Sequence, residues 1–188
     1  MSARRGTILV VSGPSGVGKS SVCTRLLHGG EIILSVSATT RAPRGHEQDG
    51  VDYQFLTPDE FQRRVDAGYF LEWARVHGQT CYGTPRAPVE DALAKGRHVL
   101  LDIDVQGAQL LREQGLPVAS VFLKAPGPDE LRRRLEGRGD TDAAEIERRL
   151  ERAEQELREA WRYDLVVTNR KLDRTLATIR AYLDLPLV

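Results

Sequence analysis

The chain has 188 residues, with 27 basic and 27 acidic side chains and no net charge at neutral pH. That length suits one sizeable core with inserted substructures and leaves no room for a second full domain. Balanced charge argues against a dedicated nucleic-acid or membrane-surface binder, the distant pair Cys23 and Cys81 against a zinc site or disulfide framework, and the absence of a long apolar stretch against a membrane span.

At the N-terminus, Met1-Ser2-Ala3-Arg4-Arg5-Gly6 lacks the apolar region of a signal peptide. With the sparse cysteines this points to a reducing compartment, most simply the cytoplasm. Residues 8–11 form an apolar, β-rich run that reads as a buried strand, and residues 20–27 read as a helix. Between them lies Gly13-Pro14-Ser15-Gly16-Val17-Gly18-Lys19-Ser20, which matches G-x-x-x-x-G-K-[ST] in the strand-loop-helix setting that gives the pattern meaning. Its glycines let successive N–H groups turn inward toward phosphate oxygens, with the helix N-terminus behind them. Lys19 is placed to reach the β- and γ-phosphates, and the Ser20 hydroxyl to complete a Mg²⁺ shell. The chain therefore reads as a nucleotide-binding protein.

Further along, residues 98–103, 118–123 and 165–168 join residues 8–11 as candidate parallel strands, with 32–36 as a fifth candidate. Helical patterns separate them, among them a crossover helix at 106–114. This is the alternation of an α/β fold: a parallel sheet of phosphate-loop type flanked by helices. Two stretches break it. Residues 37–84 turn polar and Gly-punctuated, with strand-like pieces at 53–56 and 70–76. Between these pieces Thr57-Pro58-Asp59-Glu60 has the chemistry of a capping box, and Gly68 ends the helix. This stretch reads as a small inserted α+β subdomain, where a kinase would keep the pocket for its acceptor. The second break, 135–145, is Gly-rich and charged and reads as a helical lid. The helix after it carries the apolar stripe Ile146, Leu150, Ala153, Leu157 and Trp161. The core is then 1–36, 85–134 and 146–188, within a single domain.

Several charged residues stand out. Arg41 and Arg44 flank Pro43, which stiffens the segment, and two fixed guanidiniums can clamp a monophosphate by bidentate bonds. Glu72 lies inside an apolar run beside Leu71 and Trp73, where a carboxylate needs donors. Asp102 and Asp104 emerge at the carboxyl end of a strand, the edge where open α/β sheets bind ligands. They could organise Mg²⁺ through water, bond the acceptor nucleotide, or cap the following helix. Arg134, Arg138 and Arg149 are the lid candidates, since phosphoryl transfer asks for charge stabilisation around the moving group. Arg132, Arg133 and Arg148 read as solvated helix faces.

Together these segments resemble the guanylate kinase family. The resemblance is carried by residues 13–20, by Ser35-Val36-Ser37-Ala38-Thr39-Thr40-Arg41-Ala42-Pro43-Arg44-Gly45, and by Gly50-Val51-Asp52-Tyr53-Gln54-Phe55. It continues through Phe70-Leu71-Glu72-Trp73-Ala74, Leu101-Asp102-Ile103-Asp104-Val105-Gln106-Gly107 and Arg134-Leu135-Glu136-Gly137-Arg138-Gly139 with Arg148-Arg149-Leu150. The resemblance implies ATP-dependent phosphorylation of GMP to GDP with Mg²⁺, with small-molecule nucleotides as partners. It places Arg41, Arg44, Tyr53 and Tyr82 on the acceptor phosphate. Glu72 would read guanine with help from Ser37, Gly83 and Thr84, because guanine offers two adjacent donors, N1–H and the 2-amino group, that adenine lacks. A site built this way rejects the wrong base by about 10⁴ or more. The family favours acceptor contact for Asp102, with Asp104 beside it. It makes Lys19, Arg44, Arg138 and Arg149 catalytic, and puts Arg134 and Asn169 with ATP. The sequence departs from the family at Gln79-Thr80-Cys81-Tyr82-Gly83-Thr84, which has one aromatic where two are common, and at Asn169-Arg170-Lys171, where Asn-Asp is common. The alternatives are a kinase for another phosphorylated acceptor, such as a ribose bisphosphate, and a non-catalytic binding module of guanylate-kinase-like type.

Overall fold

The structure, a computed structural model, describes residues 6–76, 80–101, 103, 105–137 and 143–186. Strand β1 (Ile8–Ser12) is apolar on both faces, with Ile8, Leu9 and Val10 all 0% exposed, which suits the middle of a sheet covered on both sides. It lies between β7 (His98–Leu101) and β8 (Val118–Lys124), and the order of the five strands is β2-β7-β1-β8-β9, with β2 (Ile32–Leu34) and β9 (Leu165–Thr168) at the edges. All pairings are parallel, and Leu9 stands between Leu100 and Ala119. The five candidate strands of the sequence are these five, with 32–36 and 98–103 shortened at their ends, 8–11 and 118–123 each longer by one residue, and 165–168 unchanged.

Alternation along β1 divides the core. Leu9 and Val11 face α1 (Lys19–Leu27) and α7 (Leu172–Tyr182) through Val22, Leu26, Leu176 and Ile179. Ile8 and Val10 face α3 (Arg86–Ala94) and α4 (Val105–Glu113) through Val89, Leu93, Ala108 and Leu111. Two further helices, α5 (Pro128–Glu136) and α6 (Ala143–Arg158), pack on each other through Leu131, Leu135, Ile146 and Ala153. Leu135 falls within the segment expected as a lid, yet it is 1% exposed in the last turn of α5. The apolar stripe of α6 is buried at Ile146 and Ala153 but exposed at Leu157. The helix ends at Arg158, and Trp161 falls in a 3₁₀ turn (Ala160–Arg162) where it is 78% exposed. Among the described residues, no helix is long and apolar enough to cross a membrane.

Between β2 and α3 the chain builds a second sheet of order β4-β3-β6-β5, from β3 (Ala38–Thr39), β4 (Gln54–Phe55), β5 (Phe70–Val76) and β6 (Thr80–Pro85), with α2 (Pro58–Asp66) packed on it. The start of α2 is half of the expected capping box. Thr57 Oγ1 accepts from Glu60 N at 3.2 Å, while the Glu60 carboxylate turns to Arg64 Nε at 3.0 Å. Phe61 and Phe70 stack at 4.6 Å in the small core under this sheet.

One irregularity joins the two sheets. Phe70 pairs with Pro85 and Glu72 with Thr84, so Leu71 is an extra residue in β5, a bulge. Its side chain enters the core beside Ile8 and Val10, and Gln114 Nε2 donates to its carbonyl at 2.9 Å. The inserted sheet is thereby fastened to the main one at the residue preceding Glu72.

Leu111, 0% exposed, holds α4 against this shared core. Leu111→Ala is expected to cost about 3 kcal/mol. In a thermal unfolding experiment the midpoint should fall by roughly 10 °C.

Candidate active site

The phosphate loop follows β1 and ends in α1. At Gly13 (φ 150°) a Cβ would lie 2.4 Å from the Leu123 carbonyl oxygen, so the loop leaves the strand against the backbone of β8. Gly18 caps α1 in the left-handed conformation, φ 94°, which glycine adopts without the strain that a Cβ brings. Lys19 and Ser20 are the first residues of the helix, where the unpaired N–H groups and the macrodipole favour an anion. Ser12 Oγ donates to the Ile103 carbonyl at 3.2 Å and ties this end of β1 to the segment after β7. Asp102 and Asp104, expected at that edge, lie outside the described residues. Glu156 of α6 is near enough to feel the Lys19 charge. Partial desolvation raises its carboxyl above the usual range although the residue is exposed, and the Lys19 charge opposes that shift.

From outside, two distant residues grip the loop. Asn169 Nδ2 donates to the Val17 carbonyl at 2.8 Å, and Arg134 Nη1 donates to the same oxygen at 3.1 Å. Arg134 also donates from Nη2 to the Asn169 carbonyl at 3.0 Å and from Nε to Glu130 at 2.7 Å. Its guanidinium thus spans the loop, the end of β9 and its own helix. Bonds from Arg133 and Arg134 hold the Glu130 carboxyl below its ordinary range. On α6, Arg149 Nε reaches back to Glu145 at 3.0 Å, and Arg148 shares that carboxylate. Arg138 lies outside the described residues.

The second sheet collects a different set. The Arg41 guanidinium meets Glu47 in a two-pronged pair, Nη1 to Oε2 at 2.6 Å and Nη2 to Oε1 at 2.8 Å, and lies over the Tyr53 ring at 4.9 Å. The Tyr82 hydroxyl is close enough to help raise Arg41, and the two tyrosine rings meet edge to face at 6.0 Å. Glu47 Oε2 also accepts the Arg44 backbone N–H at 2.8 Å, while the Arg44 side chain is exposed. The bond from Arg41, followed by that from the Arg44 N–H, holds the Glu47 carboxyl down at about 2, and the same pairing raises Arg41. Across the bulge, Thr84 Oγ1 donates to Glu72 Oε1 at 2.5 Å from a fully buried position. Gly83 lies in β6 between Ala38 and Trp73, directly over Phe70, and Ser37 accepts Gln54 N at its carbonyl at 2.9 Å.

The structure therefore brings Arg41, Tyr53 and Tyr82 together, sets Glu72 against Thr84, and gathers Arg134 and Asn169 at the loop. Glu47, Glu156 and Thr175, which donates to Asn169 Oδ1 at 2.9 Å, were not among the residues the sequence singled out. Only Glu47 had a local signal, a carboxylate six residues after Arg41 in a turn closed by Glu47 N and the Arg44 carbonyl.

A family model described as guanylate kinase matches residues 5–185. A guanylate kinase of Chelativorans sp. is 51% identical over 182 residues, covering 95% of this chain and 82% of that one. One of Synechococcus sp. is 47% identical over 184 residues, covering 97% and 98%. The crystal structure of guanylate kinase from Anaplasma phagocytophilum superposes with a TM-score of 0.74 at 38% identity, covering 96% of this chain and 85% of that one. With the phosphate loop, the fold and this extent of match, the chain belongs to the guanylate kinase family.

Proposed function

We infer that residues 13–20 hold ATP and that the second sheet holds GMP, for the ATP-dependent phosphorylation of GMP to GDP. The observation that carries this reading is Glu72. Its carboxylate stands in the second sheet with one oxygen oriented by the Thr84 hydroxyl. A carboxylate accepts only, so it is suited to a base edge that presents two adjacent donors. That edge belongs to guanine.

Around it the roles divide by charge. Arg41, Tyr53 and Tyr82, with the exposed Arg44, receive the acceptor phosphate. Ser37 and Gly83 belong to the same acceptor site, and Asp102 and Asp104, which follow β7 in the sequence, are assigned to the acceptor as well. Lys19 and the backbone amides of the loop hold the donor phosphates. Arg44, Arg138 and Arg149 meet the charge of the phosphoryl group as it passes in line from one oxygen to the other. Closure of residues 135–145 over the inserted subdomain, 37–84, would exclude water from that step.

The loop fits a Mg²⁺–nucleotide complex. Such an ion takes most of its ligands from phosphates and water, and Ser20 offers a hard hydroxyl oxygen at the start of α1. When bound, the ion neutralises charge on the donor phosphates. Among the described residues no group of three acidic, His or Cys side chains competes as a metal site. Balanced charge and two cysteines, Cys23 and Cys81, that form no disulfide favour a cytoplasmic enzyme whose partners are small nucleotides, with no role for nucleic acid or membrane.

ADP formation with GMP, AMP, CMP, UMP and ribose bisphosphate as acceptors tests the reading. Turnover with GMP alone is expected, and use of the sugar phosphate alone would discard the guanine pocket. Lys19→Ala should lower kcat by about 10²–10³-fold, and Glu72→Gln should cut the preference for GMP over AMP by about 100-fold. An unchanged preference in the latter would remove Glu72 from base recognition.

The Arg41–Glu47 pair has its own signature. The ordinary carboxyl value of 4.5 falls to about 2 in the fold, so the stabilisation is complete above about 4.5 and is lost as pH falls toward 2. The gap in unfolding midpoint between the protein and its Glu47→Gln variant should stay constant from pH 9 to about 5 and close on further acidification. A gap independent of pH down to about 2 would contradict the pairing.

A further inference from the structure

The grip on Val17 has a third member that does not touch the loop. Thr175 lies in the first turn of α7, is 2% exposed, and donates its hydroxyl to Asn169 Oδ1 at 2.9 Å. Asn169 is 7% exposed and is itself fixed at the end of β9, where its backbone N–H donates to the Lys124 carbonyl at 2.8 Å.

The orientation of the Asn169 carboxamide follows from the chemistry of its neighbours. The Val17 carbonyl can only accept, so the NH₂ end must face it. The carboxamide oxygen then needs a donor, because it is buried, and the Thr175 hydroxyl is that donor. Rotating the amide by half a turn would set two carbonyl-type oxygens against each other at Val17.

What depends on this orientation is the peptide between Val17 and Gly18. A trans peptide is planar, and its C=O and N–H point in opposite directions. With the Val17 oxygen pinned by Asn169 and Arg134, the Gly18 N–H is aimed to the opposite side of the loop, away from both. Gly18, left-handed at φ 94°, cannot secure this by itself, since glycine occupies both signs of φ with similar ease. The lock has to come from outside the loop.

We propose that Thr175 is a positioning residue for the donor phosphates, acting through Asn169 and the Val17–Gly18 peptide. The proposal rests on the assignment of residues 13–20 as the ATP loop. Thr175 is too deeply buried to meet a nucleotide, so any effect of replacing it on ATP must be transmitted.

The test is calorimetric titration of ATP and, separately, GMP into the protein and its Thr175→Val and Thr175→Ser variants. Valine keeps the shape and removes the donor, and serine returns the donor. Thr175→Val is expected to weaken ATP about tenfold, the usual consequence of one unsatisfied buried acceptor. GMP affinity should change less than about twofold, and Thr175→Ser should recover most of the ATP affinity. Unchanged ATP affinity, equal weakening of both nucleotides, or failure of serine to restore would each overturn the proposal. Should the valine variant not fold, Thr175→Ala is read by the same criteria. Failure of the unsubstituted protein to bind ATP would instead defeat the assignment of the loop, before any variant is compared.

Discussion

A backbone that turns its N–H groups toward one point must turn carbonyls away from it, and each buried carbonyl then needs a donor. In this protein that demand converges on Val17, which is completely buried. It is met by side chains 117 and 152 residues further along the chain, from α5 and from the end of β9. The phosphate loop is contiguous in sequence, but the surface that supports it is not. The parallel sheet supplies that surface, because β8 and β9 run the same way as β1 and finish at the same edge.

The acceptor half solves its electrostatic problem differently. There, the groups proposed to meet an anion are side chains, and a guanidinium half-hidden between aromatic rings needs a counter-charge. Glu47 provides one from within the same loop, and it also takes the Arg44 backbone N–H. The bulge at Leu71 does the corresponding work for the Glu72 carboxylate. One extra residue anchors in the main core, and the next is delivered opposite Thr84.

The parallel sheet was legible in the sequence because every strand in it is buried on at least one face, and burial writes itself as an apolar run. Gly13, Lys19 and Ser20 were legible because phosphate binding constrains residue type within a span of eight. The pairing of Glu72 with Thr84 depends on a register shift, which no local pattern records. Thr175 carried no signal at all: a threonine in the first turn of a helix is ordinary until the fold brings Asn169 to it. The end of α6 was misplaced for a related reason. Trp161 continues the apolar periodicity, but the backbone leaves the helix three residues earlier, at Arg158.

Gly13 and Lys19 belong to one motif, yet different parts of the molecule require them. A side chain at Gly13 would collide with the backbone of Leu123, inside the sheet, whether or not a nucleotide ever arrives. Lys19, half-buried at the first position of α1, is the residue proposed to meet the ligand. A descendant that abandoned phosphoryl transfer and kept the fold would still be obliged to keep the glycine. Along such a lineage the glycine marks ancestry, whatever became of the reaction.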